Sequence, residues 1–222
     1  MIRILHEDRQ LLVLDKPPGQ PTIPARLPET APSLHEEAEA TLGCRLWIVH
    51  RIDRETSGLV VFAKDAAAHR ALCLQFEKRT VDKRYLALAL GQVAEPGEIA
   101  KPIRECGSGR CAVAAQGGKA ARTLFTPLER FPGATLLEVK LETGRRHQIR
   151  VHLYALGHPL IGDPLCGEAR PVGGGSRLML HAHSLELETG DGSRLALHCP
   201  PGPDWETELR RWQNTVLNNP GN

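Results

Sequence analysis

Apolar residues in this chain come in short runs that proline, glycine or a charged residue cuts off, and this bounds the fold before anything else. LLVLDK (11–16) ends at Pro17-Pro18-Gly19, LVVFAK (59–64) at Asp65, and RYLALAL (84–90) at Gly91. Runs of that length are the size of buried strands and fall far short of the roughly 20 residues a membrane helix needs. The N-terminal MIRILHEDRQ has charges where a signal peptide would hold its apolar segment, so the expected location is cytoplasmic. The chain has 222 residues, 41% hydrophobic and 24% charged, which excludes disorder as its main state. No membrane contact is expected.

Helix signals are few and lie between the strand candidates. Ser33 can cap a helix running to about Leu42, and Asp65 one that carries Ala68, Leu72 and Phe76 at four-residue spacing. Segments 119–130 and 134–142 read as an antiparallel pair around Phe131-Pro132-Gly133. Thr143 is expected to start a helix that stops near Leu156 and Gly157. RLMLHAHSLEL (177–187) and RLALHC (194–199) flank an Asp191-Gly192 turn, a hairpin signal, and Pro203-Asp204 opens a last helix over 205–217. About eight strands and four helices without regular βαβ alternation predict an α+β fold with a largely antiparallel or mixed sheet. No linker stands out, so residues 1–222 read as one catalytic domain, in one or two lobes.

Six cysteines form no CxxC pair and, with no secretory signal, read as reduced thiols; their spacing does not suit a structural zinc site. Net charge is only +2, so the distribution of charge must decide whether the partner is a polyanion.

Three segments concentrate reactive or basic groups. HRIDRETSG (50–58) sets Arg51, Asp53 and Arg54 in a loop directly before a buried strand. Such a loop can be a turn whose Asp and Thr satisfy local backbone groups. Alternatively, guanidinium groups around a carboxylate keep it ionised, which suits a nucleophile or base better than a proton donor. TGRRHQIRVH (143–152) gathers Arg145, Arg146, His147, Arg150 and His152. On the predicted helix Arg146 and Arg150 share a face beside an apolar one of Ile149, Leu153 and Leu156, which makes either a solvated basic face or an anion site. KRTVDKRYLALALG (78–91) leads from four basic residues into Tyr85, an order that suits a phosphate-and-base contact, although a lone tyrosine more often packs in a core. DKPPGQPT (15–22) reads as a proline-rigid turn, as well explained by a structural connection as by a function.

Taken in order, LDKPPG, HRIDRETSG, KRY, GRRHQIRVH with ALGHPLIGD, and LHAHSLEL resemble the successive motifs of the RluA-type RNA pseudouridine synthases, from Leu11 to Pro200. The resemblance implies a helix-flanked, mainly antiparallel sheet with a central RNA-binding cleft, and no metal or organic cofactor. It makes Asp53 the catalytic aspartate and Arg150 the arginine paired with it. Tyr85 becomes the tyrosine that packs on the target base, Ile149 an apolar residue lining the base pocket, and Arg51 the arginine that enters the stack when uridine is flipped out. Phosphate contacts are expected from Lys78, Lys83, Arg84, Arg145 and Arg146, and Arg54 and His147 are expected to bind substrate as well. Two departures stand out: Ile52 replaces a commoner leucine, and Cys166 replaces a usual tyrosine. Only about ten residues precede the first motif, so the small N-terminal RNA-binding domain of many relatives is expected to be missing. A compact rRNA or tRNA stem-loop is then the expected target of a monomer with no obligate protein partner.

The chemistry fits that resemblance. A uridine inside a helix must be extruded, at a few kcal/mol of unstacking, and an inserted arginine offsets part of this. Attack on the sugar carbon, removal of a ribose proton to a glycal, and attack on the base ring all remain open. A metal hydrolase built on His181 and His183, with His147, His152, His158 and Asp163, lacks any recognised ligand spacing. A kinase-like use of HRID lacks a glycine-rich nucleotide loop. An inactive RNA-binding or assembly protein of the same fold is the alternative to an isomerase.

Overall fold

The structure is a computed structural model that describes residues 2–24, 31–107, 110–164 and 172–214. The chain divides into two compact units, one of residues up to Lys83 plus Ala182–Pro200, the other of Arg84–His181 plus residues from Pro201 onward.

In the first unit, β1 (Arg3–Glu7), β2 (Leu11–Lys16), β3 (Trp47–Ile48) and β4 (Ser57–Ala63) are joined by α1 (Leu34–Leu42) and followed by α2 (Ala66–Lys78). β2 and β4 are antiparallel, with Leu12 opposite Phe62 and Leu14 opposite Val60. Every residue of β4, and Leu11–Leu14 of β2, is buried. That explains why these strands read as continuous apolar runs: both of their faces are covered, so alternation is lost. The helices begin where the capping residues predict. Ser33 forms a complete capping box with Glu36 on α1, and the Asp65 carboxylate accepts the Ala67 and Ala68 amides at 2.8 Å on α2.

The second unit holds β5 (Asp82–Leu90, its first two residues in the first unit), β6 (Gly97–Ile99), β7 (Ile103–Cys106), β8 (Arg110–Val113), β9 (Thr123–Phe131), β10 (Ala134–Leu141), α3 (Gln148–Ala155) and, near the C-terminus, α4 (Pro203–Asn214). Strand order is β5-β10-β9-β6, and β7 and β8 form a separate hairpin. Here the two faces of the strands pack into different clusters. Ala87, Ala89, Leu137 and Val139 face Ile149 and Leu153 of α3, while Leu88, Ala134 and Leu136 share a second cluster with Trp205 of α4. Between the parts of this unit, β11 (Leu180–Glu188) and β12 (Arg194–His198) form the expected antiparallel hairpin, Ser184 opposite His198. The hairpin belongs largely to the first unit, where β11 lies beside β4.

The α+β class and mainly antiparallel pairing agree with the sequence expectation, as do the four helices. Two details differ. Twelve strands are present among the described residues, because β1, β3, β6, β7 and β8 are too short to carry a recognisable alternation. The helix expected from Thr143 begins only at Gln148, because His147 is left-handed at φ 54° and breaks the turn. Arg146 is therefore outside the helix, and the shared face proposed for Arg146 and Arg150 does not exist. None of the five described cysteines is in a disulfide. Cys106 lies opposite Arg110 and Cys111 opposite Glu105, so these two thiols point to opposite faces of their ribbon. Cys166 lies outside the described residues.

Candidate active site

The loop that carries Asp53 is held from below by the proline turn. Lys16 is fully buried at the end of β2, and its ammonium donates to three carbonyls: Pro17 at 2.8 Å, Gln20 at 2.7 Å and Arg54 at 2.8 Å. Gly19 N–H donates to the same Arg54 carbonyl at 2.8 Å. The Thr22 hydroxyl donates to the Ile52 carbonyl at 2.8 Å and accepts the Ile52 amide at 3.3 Å, clasping the residue before Asp53 from both sides. Asp53 closes the turn by accepting the Thr56 amide at 3.1 Å. Gly58 then enters β4 at φ 105°, where a Cβ would overlap the Ala182 carbonyl. Backbone groups on either side of Asp53 are thus fixed, while Arg51 and Arg54 are exposed and Asp53 is half-buried.

His50 anchors the front of the loop. Its Nε2 accepts the Val61 amide at 3.0 Å and its ring stacks on Phe76, centroids 4.7 Å apart. Burial, with a smaller effect from the nearby Lys83 charge, pushes its pKa down to about 3, so it is a neutral spacer and not a proton carrier at pH 7. The Lys83 ammonium lies 5.7 Å from the Phe76 ring centroid, and burial followed by the Arg79 charge lowers its pKa. Lys78 is exposed at the end of α2.

In the second unit, Tyr85 and Ile149 come together. Tyr85 lies opposite Val139 on the odd-numbered face of β5, half-buried against the cluster to which α3 contributes Ile149 and Leu153. An aromatic ring and a branched aliphatic side chain on one face are the parts of a pocket for a flat heterocycle. Arg84, on the other face of β5, is ion-paired with Glu138 at 2.7 Å. Arg150 is buried and donates through Nε and Nη2 to the two oxygens of Asp163, at 2.9 and 2.6 Å.

A directional chain of hydrogen bonds sets the start of α3. His152 Nε2 donates to the Lys101 carbonyl at 2.9 Å, so its Nδ1 must accept the Thr123 hydroxyl at 2.8 Å. Thr123 in turn accepts from Gln148 Nε2 at 2.9 Å, which also donates to the Arg122 carbonyl at 3.0 Å. Gln148 Oε1 accepts the Thr143 hydroxyl at 2.7 Å and the Arg145 amide at 3.0 Å. Every polar atom of the buried Gln148 amide is satisfied, which ties the turn at Thr143 and Arg145 to the start of α3. Arg145 is tied through Nε to the Ala120 carbonyl at 3.0 Å, Arg146 is exposed, and His147 is half-buried. His152 is buried and its pKa lowered, chiefly by desolvation.

The arrangement thus supplies a fixed carboxylate loop flanked by exposed guanidinium groups, and separately an aromatic–aliphatic base platform beside a buried arginine. Residues 10–155 match the model of a family described as RNA pseudouridylate synthase. The chain belongs to the RNA pseudouridylate synthase family. Among proteins similar to it is ribosomal large subunit pseudouridine synthase D of Nitrosomonas europaea, 39% identical over 91% of this chain and 62% of that protein. The protein of the same name from Pseudomonas aeruginosa is 36% identical over 95% of this chain and 72% of that one. The chain therefore spans roughly two thirds of the length of these relatives. Among solved structures, human RNA pseudouridylate synthase domain containing 4 superposes with a TM-score of 0.79 at 27% identity, over 95% of this chain and 93% of that one.

As a pseudouridylate synthase family member, the chain holds Asp53, Tyr85, Ile149 and Arg150 all inside the matched span. Sequence reasoning did not single out Lys16 or Thr22, although DKPPGQPT was noticed; a lysine inside an apolar strand was the signal. Gln148 was likewise given no role, and Asp163 was weighed only as a metal ligand, whereas the structure pairs it with Arg150. His181 packs on Trp205 and His183 hydrogen-bonds the Cys199 carbonyl. Among the described residues no three His, Cys, Asp or Glu side chains are grouped to hold a metal ion, and no helix is long and apolar enough to cross a membrane.

Proposed function

We propose that this chain is a cytoplasmic, monomeric RNA pseudouridine synthase that isomerises specific uridines in a stem-loop of rRNA or tRNA. The observation that carries the reading is the Asp53 loop, clasped by Lys16, Gly19 and Thr22 so that its backbone is fixed while its charged side chains stay at the surface. A nucleophile or base must be held in place before substrate arrives, because small displacements cost large factors in rate. The ribosomal names of the relatives favour large-subunit rRNA as the substrate.

The reaction breaks the bond between N1 of uracil and C1′ of ribose and forms one between C5 and C1′. The base turns over in between. C5 loses its hydrogen and N1 gains a proton, so nothing is oxidised or reduced. In this reading Asp53 is the catalytic carboxylate, Arg150 and Tyr85 the other catalytic residues, and Ile149 a wall of the base pocket. Arg51 is exposed and has no ion pair among the described residues, as suits a group that enters a nucleic-acid stack. Lys78, Lys83, Arg84, Arg145 and Arg146 are the proposed phosphate contacts, with Arg84 exchanging Glu138 for RNA, and Arg54 and His147 are further substrate-binding residues.

The test uses large-subunit rRNA and tRNA transcripts tritiated at C5 of uracil. Tritium release by the wild type and none by Asp53→Ala supports the reading. No release from either, with RNA binding retained, replaces it with an inactive RNA-binding protein. Affinity should also fall steeply between 50 and 200 mM salt, by roughly 10³-fold or more if six phosphates are engaged.

A further inference from the structure

The Arg150–Asp163 ion pair is buried on both sides: the two side chains are 1% and 0% exposed. It costs desolvation of two charges, and the fold goes to some length to keep it. Asp163 ends a segment that is locked by its backbone. Leu90 N–H donates to Pro159 at 2.8 Å, Ile161 N–H to Leu88 at 2.9 Å, and Met179 N–H to Ile161 at 2.9 Å. Gly162, at φ 72°, has no room for a Cβ because it would overlap the Arg177 carbonyl. The carboxylate therefore arrives at α3 in a fixed position, and the arginine conforms to it.

The geometry of the pair is informative. A guanidinium has two edges that can grip a carboxylate with parallel N–H bonds, the side edge (Nε and Nη2) and the end edge (Nη1 and Nη2). Asp163 takes the side edge, one oxygen on Nε and the other on Nη2. The plane and direction of the end edge follow from that grip. A lone arginine on a helix has four rotatable side-chain bonds and no such constraint.

We propose that Asp163 is a positioning residue for the isomerisation, acting through Arg150 by fixing the plane of its guanidinium; this rests on the isomerase reading above. Its carboxylate touches neither base nor sugar. Its negative charge also offsets that of the buried guanidinium, so the pair as a whole is neutral.

The test is a double-mutant cycle of Asp163→Asn and Arg150→Lys, read by single-turnover tritium release at saturating enzyme, with rates taken per folded protein. Asparagine keeps the size but offers one acceptor and one donor to an edge that has two donors. Asp163→Asn is expected to slow the chemical step about 100-fold while the dissociation constant for the same transcript changes by less than about threefold. Because the residue acts through Arg150, adding Asp163→Asn to Arg150→Lys should cost almost nothing more. Asp163→Glu, which restores both acceptors, should recover at least about tenfold of the lost rate, an outcome that loss of stability alone does not give. Single-turnover rates within threefold of wild type, or a double variant that loses the product of the two single effects, would overturn the inference while leaving the isomerase reading intact. Absence of tritium release from the wild type would remove that reading and this inference with it.

Discussion

Acid should weaken this fold through His50. In the folded chain the imidazole is neutral because Nε2 is occupied as an acceptor by the Val61 amide at 3.0 Å and the ring is stacked on Phe76. Adding a proton turns Nε2 into a donor aimed at another donor, and places a charge in a packed site near Lys83. The folded pKa is accordingly about 3, against about 6.5 in an unfolded chain. A depressed histidine contributes its full stability above the unfolded pKa. The contribution is lost as pH falls below about 6.5, and the loss continues down to the folded pKa, because over that window the unfolded chain binds the extra proton. Between pH 7 and pH 5 the loss amounts to about 2 kcal/mol. That figure does not depend on the folded value being 3, only on its lying below 5. The measurement is urea unfolding at both pH values for the wild type and for His50→Gln, which can keep the Val61 acceptor but cannot titrate. His152 is displaced in the same direction and is present in both proteins, so the difference between them isolates His50. Removing about 2 kcal/mol of pH sensitivity is the expected result. An unchanged pH dependence in the variant refutes the reasoning.

The clasp beneath the Asp53 loop and the glycines that let chains touch give further expectations. Lys16→Met leaves the carbonyls of Pro17, Gln20 and Arg54 without their shared donor. It should cost about 3 kcal/mol and expose the 50–58 loop to limited proteolysis, which mass spectrometry of the cleavage products would locate; protection equal to wild type contradicts the role given to Lys16. Gly162→Ala should yield no soluble protein, since both φ and the Arg177 carbonyl forbid the methyl group. Gly43→Ala, equally left-handed at φ 64° but facing open space, should lose only about 1 kcal/mol in thermal melting.

Much of this molecule was legible from residue order alone. Ser33 and Asp65 announced α1 and α2 because a capping side chain satisfies amides two and three residues away, a purely local matter. β2, β4, β5, β9 and β10 were readable because burial of one or both faces imposes its pattern directly on sequence. β1, β3, β6, β7 and β8 were not, since they are short and no hairpin turn signal like Asp191-Gly192 marks them, and they exist because a neighbouring strand offers hydrogen bonds. The helix start at Thr143 was misplaced for a related reason. Thr143 has the chemistry of a cap, yet its hydroxyl donates to Gln148 Oε1 and accepts the amide of Arg122, the residue just before β9.

The same division runs through the site. Asp53, Arg51, Tyr85, Ile149 and Arg150 stood out because their types and order match a family pattern, and the local sequence determined that a charged loop precedes a buried strand. What they are held by was decided only in three dimensions. Lys16 meets a carbonyl 38 positions away, Thr22 clasps a residue 30 away, and Asp163 reaches an arginine 13 positions earlier, across the end of a helix. Local propensity and capping act within about four residues and so can be read along the chain. Buried polar groups must find partners wherever the fold brings them, and those partners were fixed by the tertiary structure alone.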